Sequence, residues 1–129
     1  MYSFDYQRPA DIKAAAAALQ GDDARYLAGG QSLVQALRLR LSSVERLVDL
    51  GAIADLKGIK VDAGGVTIDS MTTHAAVANS AEVRKAIPAL AELAGGIGDP
   101  MVRNMGTLGG SIANADPAAD WPAAVLGLG

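Results

Sequence analysis

The sequence predicts an α+β domain in which helices and short strands interleave, and three stretches carry that prediction. "DARYLAGGQSL" reads as a strand that breaks at paired glycines and hands over to a helix. "KVDAGGVTID" reads as a hairpin turning at Gly64-Gly65, and "PALAELAGG" opens on proline and closes on paired glycines, the usual polarity of a helix. At 129 residues, half of them hydrophobic, the chain suits one domain with a buried core.

The elements follow in order. Asp11 can cap a helix whose apolar stripe is Ile12, Ala15, Ala16 and Leu19, with Gly21 placed to end it. The run Ala14 to Ala18 reads as close helix packing. A strand over Arg25 to Ala28 breaks at Gly29-Gly30 and passes through Gln31-Ser32 into a helix carrying Leu33, Leu37 and Leu41. "LRLRL" also alternates like a strand, so the end of that helix stays open. Val44 to Leu50 reads as a second strand, "IADLKGI" as a helical turn closed by Gly58. Thr73 and Ser80 suit the caps of two short helices, and Asp120 the cap of a last one. That last segment leaves Trp121, Val125, Leu126 and Leu128 in want of a partner surface, which predicts self-association through an apolar end.

Composition narrows the function. The net charge is −3 with no Lys/Arg block, so phosphate-backbone binding has no electrostatic footprint and no nucleic acid partner is expected. Cysteine is absent, which removes disulfides, thiolate zinc sites, iron–sulfur ligation and a thiol nucleophile together. Redox chemistry would have to come from an organic cofactor or a partner chain. With one Trp, one Phe and three Tyr, a large flat ligand finds few stacking partners. The N-terminus has no signal-peptide core and no apolar run approaches the roughly 18 residues of a membrane span, so the cytoplasm is the expected compartment.

Two glycine loops carry the chemistry. "AGGQSL" places glycines and a serine where a strand hands over to a helix, offering backbone N–H donors and a helix dipole to an anion. Its spacing is not G-x-G-x-x-G, and no G-K-[ST] occurs, which argues against a nicotinamide Rossmann fold or a P-loop kinase. "GTLGGSIANADPAAD" offers further N–H groups at Gly106, Thr107, Gly109 and Gly110, followed by Asn114, Asp116 and Asp120 as acceptors for sugar hydroxyls. Two donor loops with carboxylates suit a nucleotide bearing a polyol. The same residues also fit a structural role, with Asp116 starting an Asx-Pro turn, Asp120 capping a helix and the glycines permitting close packing.

"YLAGGQSLVQALRLRL" and "IGDPMVRNMGTLGGSIANADPAADWPA", in this order with "LVDL", "IADLKGI" and "MTTHAAV" between them, resemble the FAD-binding medium subunit of molybdenum hydroxylases, the xanthine dehydrogenase and aerobic carbon monoxide dehydrogenase family. The resemblance runs from about Tyr6 to the last residue. It implies a fold of the vanillyl-alcohol-oxidase type, with a first FAD-binding subdomain over 1–55 and the start of a second over 56–129. Relatives continue well beyond this length, so the chain looks truncated, its C-terminal part missing. By position, Ala28, Gly29, Gly30, Gln31, Ser32 and Leu33 form one diphosphate loop and Thr107, Leu108, Gly109, Gly110 and Ser111 the other. The resemblance sets Ile97-Gly98 near the isoalloxazine, and Asn114 and Asp120 near the ribityl or ribose hydroxyls. Pro100-Met101 and "IDSM" depart from the usual pattern without touching a donor.

The activity so implied is electron transfer in an oxidoreductase. A molybdopterin-binding large subunit hydroxylates the substrate, a 2Fe-2S small subunit relays electrons, and FAD passes them to an external acceptor. No catalytic residue and no metal ligand is expected in this chain. A different reading keeps the fold as a noncatalytic assembly module without stable flavin. Replacing Gly29 or Gly110 is expected to weaken FAD binding by crowding the diphosphate. His74, the only histidine, reads as structural or solvent-facing, and its loss is expected to leave affinity unchanged. Thr72 and Thr73 read as helix caps or flavin hydrogen-bonding groups, Arg103 as a surface ion pair, a phosphate contact or a subunit contact, and the methionines as packing.

Overall fold

The computed structural model describes residues 1–128. The N-terminal part alternates strand and helix: β1 (Asp5–Gln7), α1 (Ile12–Ala18), β2 (Ala24–Leu27), α2 (Leu33–Arg38) and β3 (Arg46–Asp49). Two 3-10 turns, Leu50–Ala52 and Ala54–Leu56, lead to an antiparallel hairpin, β4 (Ile59–Asp62) and β5 (Gly65–Ile68). Six helices complete the chain: α3 (His74–Asn79), α4 (Ala81–Ala86), α5 (Pro88–Gly96), α6 (Pro100–Met105), α7 (Leu108–Asn114) and α8 (Asp120–Leu128).

The three-stranded sheet is parallel throughout, in the order β1-β3-β2. β3 is its centre, and two consecutive residues of β3 organise the core on either face. Side chains alternate across a strand, so Leu47 packs with Leu37 and Val44 while Val48 packs with Ala15 and Ile53. The sheet thus carries α1 on one side and α2 on the other. β1 escapes sequence reading because its three residues have no apolar alternation. Long-range polar links hold it instead: Asp5 N–H donates to the Glu45 carbonyl at 2.8 Å, Arg46 pairs with Asp5 at 2.9 Å, and the Tyr6 hydroxyl donates to Asp49.

A second core lies under the hairpin, built from Val77, Val83, Ala91, Ala94, Trp121 and Ala124, with Ile59, Val66 and Ile68 packed against it. Small residues let its helices approach closely: a Cβ on Gly95 would fall 3.8 Å from that of Ala78. The caps follow the local code. Asp11, Thr73, Ser80, Asp99 and Thr107 each accept from a backbone N–H in the first turn of the helix they precede.

Several expectations are corrected. The helix at Asp11 stops at Ala18, short of Gly21, and the helix at Leu33 stops at Arg38. Arg40 then takes a positive φ of 58°, and Leu39 and Leu41 are exposed, so the alternating "LRLRL" buries neither a strand face nor a helix stripe beyond Leu37. The hairpin turns on Ala63-Gly64, because Gly65 pairs with Asp62 in the ladder. Asp120 is the first residue of α8 rather than a residue before it. Trp121 has a partner after all and is only 1% exposed, whereas Val125, Leu126 and Leu128 face outward. Gly129, the last residue of the expected second subdomain, lies outside the described residues.

Candidate functional site

After β2 the chain turns through Ala28 to Ser32 into α2. Gly30 has a φ of +72°, a conformation that other L residues rarely take. The backbone N–H groups of Gly29, Gly30, Gln31, Ser32 and Leu33 donate to no group among the described residues. The carbonyls of Gly30 and Ser32, in contrast, accept from Val34 at 3.2 Å and Ala36 at 3.1 Å. Ser32 stands at the helix start with no side-chain capping bond, and its hydroxyl has no partner among the described residues. The result is a row of successive unpaired donors at a positive helix end, the arrangement that suits an anion.

The second glycine segment differs from expectation. It is a helix, α7, and most of its N–H groups are already used: Gly106 donates to Val102, Leu108 to Thr72, Gly109 to Ser70 and Gly110 to the Thr107 hydroxyl at 3.1 Å. A bridge between Thr73 and Thr107 explains this, since it lays the segment alongside the chain that follows β5. Such a pairing is long-range and has no signature in the local pattern. Of the donors expected here, only the Thr107 N–H has no partner among the described residues.

The glycines serve close packing. A Cβ on Gly29 would sit 2.2 Å from the Met105 carbonyl oxygen, and one on Gly109 would sit 2.6 Å from the Ser70 Cβ. They admit neighbouring chain, and so bring the donor row against the start of α7. The packing role weighed for these glycines is therefore real.

Between the two segments lies a cavity of about 770 Å³. Its wall includes Ala28, Gly29, Gly30, Gln31, Ser32 and Leu33 from the first loop, Ile97, and Thr107, Gly109, Gly110, Ser111, Asn114 and Asp120 from the second half. Gly98 and Leu108 do not line it. Leu108 packs instead against the Trp121 core, and the open side of Gly98 is filled by Val102. Asp116, which accepts from Ala118 N–H at 2.9 Å in the expected turn, does line the cavity. So do Tyr26, Leu50, Ser70 and Met71, which sequence reading missed. Their only signal is the register that tertiary contacts impose.

His74 also lines the cavity and is 5% exposed, so it does not face bulk solvent. Its Nδ1 accepts from the Trp121 indole N–H at 3.1 Å, and the two rings lie 5.7 Å apart. Burial pushes its pKa below the ordinary histidine value, against the opposing pull of Asp120. Three other residues that the sequence singled out make hydrogen bonds within the chain. Thr72 bonds both N–H and C=O of Gly58 rather than capping a helix, Thr73 caps α3, and Arg103 donates to the carbonyls of Ile97 and Gly98 and pairs with no acid among the described residues.

A smaller cavity of about 590 Å³ lies between α3, α5 and α6, with Arg84, Glu92 and Arg103 on its wall. It adjoins none of the unpaired donors.

Over residues 2–129 the chain matches the family described as FAD binding domain in molybdopterin dehydrogenase. It is 46% identical over 129 residues to the carbon monoxide dehydrogenase medium chain of Afipia carboxidovorans, covering 98% of this chain and 45% of that protein. The carbon monoxide dehydrogenase medium chain of Hydrogenophaga pseudoflava is 42% identical, with 93% of this chain and 42% of that protein covered. Among solved structures, reconstituted CO dehydrogenase from Oligotropha carboxidovorans superposes with a TM-score of 0.91 at 46% identity, over 95% of this chain and 43% of that one. The chain thus spans less than half the length of these relatives. With a mixed parallel and antiparallel α/β architecture, a row of unpaired donors at a cavity, and a family match across almost every residue, the chain belongs to the FAD-binding domains of the molybdopterin dehydrogenases.

Proposed function

We propose that this chain supplies the diphosphate-holding part of an FAD-binding medium subunit, and that the subunit works as an electron conduit in a molybdenum-containing hydroxylase complex. The observation that carries this is the row of unpaired N–H donors from Gly29 to Leu33 on the wall of the large cavity. These donors line the cavity with no partner among the described residues, and a bound diphosphate would satisfy them.

In this reading the backbone of Ala28 to Leu33 and the Thr107 N–H hold the diphosphate, with the Ser32 and Ser111 hydroxyls beside it. Gly109 and Gly110 act by letting the two segments meet. Asn114 and Asp120 accept from ribityl or ribose hydroxyls, and Ile97 packs near the isoalloxazine. Gly98 and Leu108 contribute only by shaping their neighbours. The flavin, when bound, supplies the redox chemistry, and the chain's own residues bind and orient it. Electrons would arrive from a 2Fe-2S small subunit, after hydroxylation in a molybdopterin-binding large subunit, and leave to an external acceptor. The fold would be of the vanillyl-alcohol-oxidase type, with the parallel sheet in a subdomain over 1–55 and the hairpin and later helices in a second over 56–129. The cytoplasm is the proposed compartment, and the described residues include no helix long and apolar enough to cross a membrane.

A titration of the purified chain with FAD, read by calorimetry and by the flavin spectrum, tests this. Saturable binding shared with ADP is the expected result. Absence of binding to either would overturn it and favour the assembly module, a reading supported by the outward-facing Val125, Leu126 and Leu128.

A further inference from the structure

His74 is the one side chain of the cavity wall that is both a hydrogen-bonding group and at least nine-tenths buried, apart from the Thr107 hydroxyl that caps α7. An indole nitrogen can only donate, so the bond from Trp121 makes Nδ1 of His74 an acceptor. The imidazole proton must then reside on Nε2. Nε2 has no partner among the described residues. No buried side-chain nitrogen or oxygen among the described residues lacks a partner, so Nε2 is not sealed from solvent, and both His74 and the Gly106 beside it line the cavity.

Its position in that cavity is specific. A Cβ on Gly106 would come within 2.7 Å of Nε2, and a Cβ on Gly29 would come within 2.7 Å of the Gly106 Cα. Nε2 and Gly29, the first residue of the donor row, therefore both adjoin Gly106. From this we infer that His74 is a binding residue, whose Nε2–H donates to a diphosphate oxygen of the dinucleotide, and that Trp121 is the positioning residue that holds the required tautomer. The inference rests on the FAD reading of the cavity. It departs from the sequence expectation that His74 is irrelevant to binding, because nothing local to "MTTHAAV" announces that Trp121, 47 residues later, orients its ring.

Burial and the indole N–H both favour the neutral ring, since a proton added at Nδ1 would face another donor. A fixed neutral donor costs no ionisation on binding, and a hydrogen bond to a charged oxygen is worth more than one between neutral groups.

The test is calorimetric titration of the whole chain and of two variants with FAD, ADP and riboflavin, with thermal melts alongside. His74→Phe keeps a ring and removes the donor, whereas His74→Gln keeps an acceptor for Trp121 and a donor for the cavity. The expected result is about a tenfold loss of FAD and ADP affinity in His74→Phe, with riboflavin unaffected and recovery to within about threefold in His74→Gln. Equal affinities in His74→Phe, or a loss seen for riboflavin but not ADP, would overturn the assignment while leaving the FAD reading in place. Failure of the unaltered chain to bind any of the three would instead remove the FAD reading, and this inference with it. Should His74→Phe not fold, nitrogen NMR of the unaltered chain decides: the Nε2–H resonance must shift on addition of ADP, and an unmoved resonance overturns the inference.

Discussion

Gly29 lies against the carbonyl of Met105 so closely that a Cβ at position 29 would sit 2.2 Å from the oxygen. This contact joins the turn after β2 to the end of α6. Gly29→Ala should lower both FAD affinity and the melting temperature of the ligand-free chain, since overpacking of this kind costs about 1–3 kcal/mol. Thermal melts without ligand discriminate between origins. An unchanged melt with weakened binding would mean that position 29 crowds only the cofactor.

Ser32 and Thr107 stand at equivalent places, one before α2 and one before α7, yet only Thr107 caps its helix. Thr107→Ala should cost about 1 kcal/mol of stability through loss of the bond from Gly110 N–H. Ser32→Ala should stay within about 0.5 kcal/mol, because its hydroxyl has no capping partner to lose. Urea unfolding of both variants measures the contrast. FAD titration of Ser32→Ala should then show a severalfold weaker binding that its stability does not explain.

His74 should make stability fall on acidification. Its folded pKa lies below the unfolded value of about 6.5, so the unfolded chain binds the extra proton first. The stabilising contribution is complete above the unfolded pKa and is lost as pH falls from there through the folded pKa. Urea midpoints measured from pH 7.5 to pH 5 should decline in this window, and the decline should be shallower in His74→Gln. A slope unchanged by that substitution would assign the acid sensitivity to other groups.

Leu126 is 87% exposed on α8, beside Val125 and near the end at Leu128, also exposed. Clustered apolar side chains on a surface helix favour association. Sedimentation velocity of the chain should show concentration-dependent oligomers, and Leu126→Glu should reduce them without moving the melting temperature by more than a degree or two.

Local structure was legible wherever the signal is local. Asp11, Thr73 and Ser80 are caps because a short polar side chain can reach the first turn of its own helix, and Pro88 to Gly96 is a helix because proline suits its start. The donor row at Gly29 to Leu33 was equally readable, since a strand, a glycine turn and a helix start are contiguous. By contrast β1, α6 and α7 went unread, the first lacking apolar alternation and α7 hidden by glycines that usually break helices. Gly109 and Gly110 can sit in α7 because close packing against Ser70 and the first loop outweighs their helix propensity.

The sequence by itself determined the family and the cofactor class, because each motif that carries them lies in one continuous stretch of chain. Only the tertiary structure decided that the second glycine segment spends its donors on Ser70, Thr72 and the Thr107 hydroxyl, that Trp121 is core, and that His74 opens onto the cavity. Each of those outcomes depends on pairing between segments far apart in sequence. Hydrogen-bond satisfaction and burial are set by which segments meet, and no local pattern records that choice.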